Sequence, residues 1–248
     1  MEIKLKENER IDDLELNGLK IIQDTTGFCF GIDSVLLSDF AKEIHKNSKI
    51  LDLGTGTGII GTLLTAKLEN PKIVGIEIQK EVAEMAKRSI LLNNLQDKFE
   101  IINEDINKIE ELLGKFKFDA IVLNPPYKQI GTGLINENNK KLISRHEITA
   151  SLEDFIRVSF EQLKDKGSLY MVNKTERLAD IIEYGRKYKL EPKTIKFVHP
   201  NAYKAPNLVL IKLVKNANRF LKIDDPIYVY GENGKYTKQV LKIYGKEE

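Results

Sequence analysis

The chain has 248 residues, a formal net charge of +2, and 42% hydrophobic and 31% charged residues, an ordinary balance for a soluble globular protein with one sizeable core. No apolar run is long enough to span a bilayer, and the N-terminus, Met1-Glu2-Ile3-Lys4-Leu5-Lys6, lacks the apolar stretch of a signal peptide. Cys29 is the single cysteine, which excludes an internal disulfide and fits a cytoplasmic protein.

In chain order, Leu14-Glu15-Leu16 and Leu19-Lys20-Ile21 flank Asn17-Gly18, a two-residue hairpin signal. After Phe28-Cys29-Phe30-Gly31-Ile32-Asp33, residues Val35, Leu36, Leu37, Phe40 and Ala41 recur at helical spacing, with Asp33 or Ser34 as the expected cap. From Lys49 strands and helices alternate. Lys49–Leu53 reads as strand, Ile59–Leu68 as helix, Lys72–Ile78 as strand, Lys80–Asn93 as helix and Phe99–Ile102 as strand. A short helix is expected over Ile106–Leu113 and a strand over Phe118–Leu123. Leu152–Leu163 follows as helix, Ser168–Val172 as strand, Glu176–Tyr188 as helix, and Thr194–Val198 and Leu208–Val214 as strands. This alternation predicts an α/β fold, a doubly wound Rossmann-like sheet that is mostly parallel. The short link between the last two strands predicts an antiparallel pair near the C-terminus.

The organisation expected is an N-terminal hairpin and helix over residues 1–45 packed on the core, a main domain over 46–220 and a C-terminal tail over 221–248. In the tail, Gly231-Glu232-Asn233-Gly234 separates Pro226–Tyr230 from Tyr236–Tyr244, which predicts a hairpin or a strand followed by a frayed helix. Between Lys174 and Lys222, twelve Lys/Arg face four Asp/Glu, an excess that suits either a polyanion-binding face or a solvated surface.

Strand one runs into Leu51-Asp52-Leu53-Gly54-Thr55-Gly56-Thr57-Gly58-Ile59-Ile60-Gly61. Glycines let the chain turn tightly and let a ligand approach bare backbone, and the helix that follows offers unpaired N–H groups. Residues 56–61 spell G-x-G-x-x-G, and Glu77 ends the next strand where a ribose-binding acid belongs, so a nicotinamide cofactor is a contender. Asp52 argues for a different one: its carboxylate would repel a pyrophosphate but attract the ammonium of S-adenosylmethionine. Asp105 follows strand three, either as a helix cap or as an acceptor for an adenine amino group, with Ile106 to pack on the ring. Three acids ending strands one, two and three suggest a single shared site.

Ile121-Val122-Leu123-Asn124-Pro125-Pro126-Tyr127 ends a strand at an amide, two prolines and a phenol. Neither proline has an N–H to pair in a sheet, which leaves Asn124 at the carboxyl edge, where ligands bind in open parallel sheets. Methyl transfer to an exocyclic amine needs acceptors that hold both amino hydrogens, because the nitrogen lone pair is delocalised. The Asn124 side-chain oxygen and the Pro125 carbonyl supply two, stiffened by the prolines. The Tyr127 ring can stack on a planar substrate, a task for which its hydroxyl is dispensable.

With these residues the chain resembles the class I S-adenosylmethionine-dependent methyltransferases, in the amino-methylating group marked by Asn-Pro-Pro-Tyr or Phe. Arg10-Ile11-Asp12-Asp13-Leu14, Leu19-Lys20-Ile21-Ile22-Gln23, Phe30–Leu37 and Arg145-His146-Glu147 are similar to the bacterial tRNA1(Val) adenine methyltransferase family. The resemblance implies a class I methyltransferase sheet and N6 methylation of the adenosine beside the anticodon of a valine tRNA. It implies that Asp52, Gly54 and Gly56 line the methionine end of the cofactor, Glu77 holds the ribose, and Asp105 and Ile106 hold the adenine. Asn124, Pro125 and Tyr127 handle the target base, Asn124 also borders the cofactor, and Gly31 with Asp33 closes its pocket.

Release-factor glutamine methyltransferases share Asn-Pro-Pro-Tyr but carry a helical N-terminal domain, for which about 45 residues opening with a hairpin leave no room. Ribosomal guanine methyltransferases, DNA adenine methyltransferases and a cofactor-binding module serving a partner are further alternatives. The second usually adds a recognition domain and the third would not need an intact Asn124 motif. His45, His146 and His199 lack ligand spacing, so no metal site is expected, and Cys29 reads as core. The loop from Lys128 to Ile143 is expected to be mobile until substrate arrives. The expected partner is tRNA, with no membrane, and the expected state is a monomer.

Overall fold

The computed structural model describes residues 3–27, 30–127 and 150–246. Cys29, the Lys128–Ile143 loop and Arg145-His146-Glu147 fall outside them.

A β-hairpin opens the chain, β1 (Glu9–Asp13) against β2 (Lys20–Asp24). Asn17 and Gly18 both have positive φ, and the Leu19 N–H donates to the Leu16 carbonyl at 3.0 Å, the geometry a two-residue hairpin turn requires. Helix α1 (Ile32–Phe40) follows, then β3 (Lys49–Leu53), α2 (Ile59–Lys67), β4 (Lys72–Glu77), α3 (Lys80–Leu92) and β5 (Phe99–Asn103). A 3-10 turn over Ile106–Lys108 leads into α4 (Ile109–Leu113) and β6 (Phe118–Leu123). Beyond residue 150 come α5 (Leu152–Gln162), β7 (Leu163–Lys174), a 3-10 turn, α6 (Leu178–Lys187), β8 (Leu190–His199), β9 (Leu208–Lys215), β10 (Lys222–Tyr228) and α7 (Lys238–Ile243). Beyond the hairpin, the strands form one sheet in the order β10-β8-β9-β7-β6-β3-β4-β5.

Side-chain alternation along the strands builds the two faces. Ile50, Ala120 and Val122 point into a core closed by α1, α2, α3, the hairpin and α7, through Val35, Leu36, Ile60, Leu63, Ala83, Ile21 and Val240. Leu51, Leu53, Ile121 and Leu123 point the other way, against Ile109, Phe155, Ile156 and Ile181 of α4, α5 and α6. The hairpin is tied to α3 by polar contacts. The Ile22 N–H donates to Ser89 Oγ at 3.0 Å, and Arg88 donates twice to the Glu9 carboxylate, at 2.6 and 2.5 Å.

Every pairing in the large sheet is parallel except those of β9, which runs against β7 and β8. The carboxyl ends of β3, β4, β5, β6, β7, β8 and β10 therefore share one edge. The tail takes the second of its two readings, a strand followed by a short helix, rather than a hairpin. β10 joins the sheet in parallel beside β8, with a register shift between Asp224 and Ile227 that accommodates Pro226, and the chain ends in α7. A single bridge, Tyr230 to Tyr236, is what the glycine turn contributes. Among the described residues no helix is long and apolar enough to cross a membrane, and no cluster of three or more His, Cys, Asp or Glu side chains is arranged to hold a metal ion.

Candidate active site

The carboxyl ends of β3, β4 and β5 lie side by side and bring Asp52, Glu77 and Asp105 to one stretch of the sheet edge. The loop after β3 holds Gly54, Gly56 and Gly58 at φ of 68°, 58° and 85°, where L side chains are strained. The Gly58 N–H donates to the Thr55 carbonyl at 3.0 Å, closing the turn, and the Thr55 N–H donates to Ile76 at 2.9 Å, pinning it to β4. Beneath the loop lies Phe99, 2% exposed, whose ring a Cβ at Gly75 would meet at 3.0 Å and one at Gly61 would overlap. Phe155 stands 3.6 Å from the Cβ position of Gly54 on the other face. Neither phenylalanine was legible as part of the site, although a bulky aromatic facing glycines on the adjoining strand and helix is the pairing that close packing demands.

Asp52 lies inward, behind the glycine loop. It is completely buried, accepts a 2.7 Å hydrogen bond from the Thr55 hydroxyl, and has no partner at Oδ1. Burial pushes its carboxyl up to about 7, against the pull of the Thr55 hydroxyl and the Gly61 N–H, and Glu77 adds a smaller push. Its position makes it a brace of the loop from within. Glu77, also buried, is the carboxylate that spans the site: Oε2 accepts from the Gly56 N–H at 3.0 Å and Oε1 from the Gln79 N–H at 2.9 Å. Asp105 caps the 3-10 turn, its Oδ1 accepting from the Asn107 N–H at 2.9 Å, the first of its two readings. Ile106 beside it is buried.

β6 lies next to β3 and delivers Asn124 to the same edge. Tyr127 folds back toward α1. Its Oη lies 2.6 Å from Asp33 Oδ2 and 3.1 Å from Asn124 Oδ1. A phenol has one proton, and the shorter contact to a carboxylate takes it. The Asn124 amide donates to Ser34 Oγ at 3.3 Å. The amide is thus held through its N–H by Ser34, with the Tyr127 hydroxyl oxygen beside its own oxygen, which keeps its acceptor capacity. Burial, followed by the negative charge of Asp33, pushes the Tyr127 hydroxyl well above its usual range, so it stays a donor. Lys174, at the end of β7, places its ammonium 5.0 Å from the Tyr127 ring centroid. Pro125 is buried and Pro126 exposed, which fixes the turn between the amide and the phenol.

One sequence expectation is corrected here. Neither Asp33 nor Ser34 caps α1; the N-cap is Gly31, in extended conformation, with no side-chain cap bond. One turn into the helix, both side chains are directed at the Asn124 motif instead, and a side chain at position 31 would run into Asp33. The Tyr127 hydroxyl, which stacking does not need, is engaged by Asp33 and lies beside Asn124. Ser34 and Lys174 were missed because nothing local in the sequence connects them to residues 124–127.

The model of the methyltransferase small domain family matches residues 31–184. A tRNA1(Val) (adenine(37)-N6)-methyltransferase of Porphyromonas gingivalis is 32% identical over 229 residues, 89% of each chain. One from Pedobacter heparinus is 26% identical, covering 86% of this chain and 89% of its own. Among solved structures, one from Agrobacterium tumefaciens described as a predicted O-methyltransferase has a TM-score of 0.69 at 22% identity, over 86% of this chain and 96% of that one. M. jannaschii TYW2 in complex with AdoMet has a TM-score of 0.55 at 15% identity, over 86% and 87%.

Proposed function

The chain belongs to the methyltransferase small domain family, and we infer that it transfers the methyl group of S-adenosylmethionine to the exocyclic N6 amine of an adenine in tRNA. The observation that carries this reading is the Asn124 amide, held by Ser34 and set beside the Asp33-bound Tyr127 hydroxyl at the carboxyl end of β6, one strand from the glycine loop. The relatives' names narrow the substrate to the adenosine beside the anticodon of a valine tRNA.

The residues fit S-adenosylmethionine. The unpartnered Oδ1 of Asp52, buried behind the loop, favours a positive group nearby. Open space at the Cβ position of Gly56 leaves bare backbone for a ligand to approach, and Glu77, bonded to the Gly56 N–H, puts a carboxylate beside it for ribose hydroxyls. Gly31 and Asp33, at the start of α1, would close the pocket, and Ile106 and Asp105 would supply an apolar wall and an acceptor for an adenine. When bound, the sulfonium supplies an electrophilic methyl group.

The chain's own part is orientation. Asn124 Oδ1 and the Pro125 carbonyl accept from the two amine hydrogens, which favours the pyramidal nitrogen that attacks. These acceptors are fixed before reaction and need little reorganisation. The Tyr127 ring, held by its hydroxyl, offers a face for the base. No general base is needed before transfer, because the proton leaves after the N–C bond has formed. An adenine in an anticodon loop is partly unstacked, so drawing it into the site costs less than flipping from a duplex. Such a reaction belongs to the cytoplasm, where tRNA is.

The test is transfer of labelled methyl groups to tRNA, ribosomal RNA, duplex DNA and a release factor in parallel. Label confined to tRNA supports the reading; label only in protein or in guanine would overturn the substrate while leaving the fold and cofactor untouched.

A further inference from the structure

The twelve cations between Lys174 and Lys222 do not form one basic face. Arg177, Arg186, Lys187, Lys196, Lys212 and Lys222 are ion-paired with Asp180, Glu191, Glu153, Asp224, Glu43 and Asp224. Lys215 is buried, donating to the Phe160 and Leu163 carbonyls, and Lys193 donates to those of Asn218 and Arg219. Among the described residues, Lys174, Lys189, Lys204 and Arg219 remain outside ion pairs. Topology divides these four. Lys189 precedes β8 and Arg219 precedes β10, so both sit at the amino edge of the sheet, away from Asn124. Lys174 ends β7 and Lys204 follows β8, on the carboxyl edge that carries Asn124.

Aromatic rings interleave with those two lysines. His199, the last residue of β8, pairs with Tyr228, the last of β10, with ring centroids 5.1 Å apart. His199 Nδ1 lies 2.8 Å from the Lys204 carbonyl, which fixes the loop between β8 and β9. On that loop Tyr203 is 78% exposed, its hydroxyl donating to Glu232 at 2.6 Å. A tyrosine so exposed, yet held in place at its far end, is a rigid flat surface offered to solvent. With strands about 4.8 Å apart, β8 and β10 stand roughly 14 and 19 Å along the edge from β6. That is the length of about four to six stacked nucleotides at 3.4 Å each.

We propose that the carboxyl edge of β7, β8 and β10, carrying Lys174, His199, Tyr203, Lys204 and Tyr228, is the docking surface for the RNA loop that flanks the target adenine. The aromatic rings stack unpaired bases and the lysines meet the phosphates between them, the combination that binds single-stranded nucleic acid. The surface is continuous with the reaction site through Lys174, whose ammonium lies over the Tyr127 ring. The proposal rests on the tRNA reading above and adds where the RNA lies.

The probe is an unmodified tRNA transcript with an adenosine beside the anticodon. Tyr203→Ala is expected to raise KM for this RNA about tenfold, the scale of losing one stacked base, with kcat and cofactor affinity within twofold of wild type. Lys204→Ala is expected to lower the salt slope of RNA affinity by about 1. Lys187→Ala/Lys189→Ala, at the opposite edge, should change neither. If wild type methylates the transcript while the Tyr203 and Lys204 variants match it in KM and slope, the proposal is wrong and the function stands. The same holds if the loss follows Lys187 and Lys189. A wild type that methylates no tRNA overturns both.

Discussion

Tyr127→Phe isolates the contact that the sequence alone made look unimportant. The substitution keeps the ring and removes only an oxygen that lies 2.6 Å from Asp33 and 3.1 Å from Asn124. A hydrogen bond to a charged group contributes about 1.5–3 kcal/mol, and removing the donor leaves the Asp33 carboxylate, half-buried, without that partner. If the full amount orients the motif in the transition state, turnover falls about 10- to 150-fold, since each 1.36 kcal/mol is a factor of ten. Single-turnover methyl transfer at saturating cofactor and RNA reads this directly, and calorimetry of the cofactor should show affinity within about threefold. Asp33→Ala should give a similar loss, and the double variant should lose little more, because both changes break one interaction. Asp33→Asn, which keeps an acceptor, should recover part of the rate. A Phe variant within twofold of wild type in rate would refute the reasoning and return Tyr127 to a purely stacking role.

Asp52 keeps its proton to about pH 7 when folded, against an ordinary 3.8, so the folded state holds an extra proton between these values and stability falls as pH rises through that window. The ceiling of that loss is roughly 4 kcal/mol, and Asp52→Asn should flatten the slope in denaturant titrations from pH 4 to 8; an unchanged slope would contradict it. Glu77→Ala should weaken S-adenosylmethionine binding by at least tenfold in calorimetry, since the acceptor and its brace on the Gly56 and Gln79 N–H groups go together. Phe99→Ala should cost about 3–5 kcal/mol in chemical denaturation, because the glycines around its ring offer no side chain to refill the space.

The parallel half of the fold was legible because its elements announce themselves locally. Strands β3 to β6 are short apolar runs closed by Gly, Glu, Asn or Pro, and the observed bounds differ from expectation by a residue or so. The first half of β10 was not legible as strand, since Lys222-Ile223-Asp224-Asp225-Pro226 neither alternates nor avoids proline. Only its place at the sheet edge, with a register shift at the proline, permits it there. Within the site, Glu77 was readable from position alone. The Asp33–Tyr127 contact joins residues 94 apart and leaves no periodic trace, so Asp33 looked like a helix cap. The basic segment left two readings open for the same reason. A count of charges along the chain cannot distinguish the two edges of a sheet, nor see that Arg186 and Lys187 are engaged by Glu191 and Glu153.

The central claim is that the Asn124 amide directs methyl transfer to the N6 amine of a tRNA adenine. The most direct measurement is mass spectrometry of nucleosides from tRNA incubated with S-adenosylmethionine and either wild-type protein or Asn124→Ala. Wild type should produce N6-methyladenosine, and the variant should do so about 100-fold more slowly with cofactor affinity little changed, the scale for losing one preorganised partner of the reacting group. Methylation on a ring nitrogen or on guanine, or an Asn124→Ala protein as fast as wild type, would contradict it.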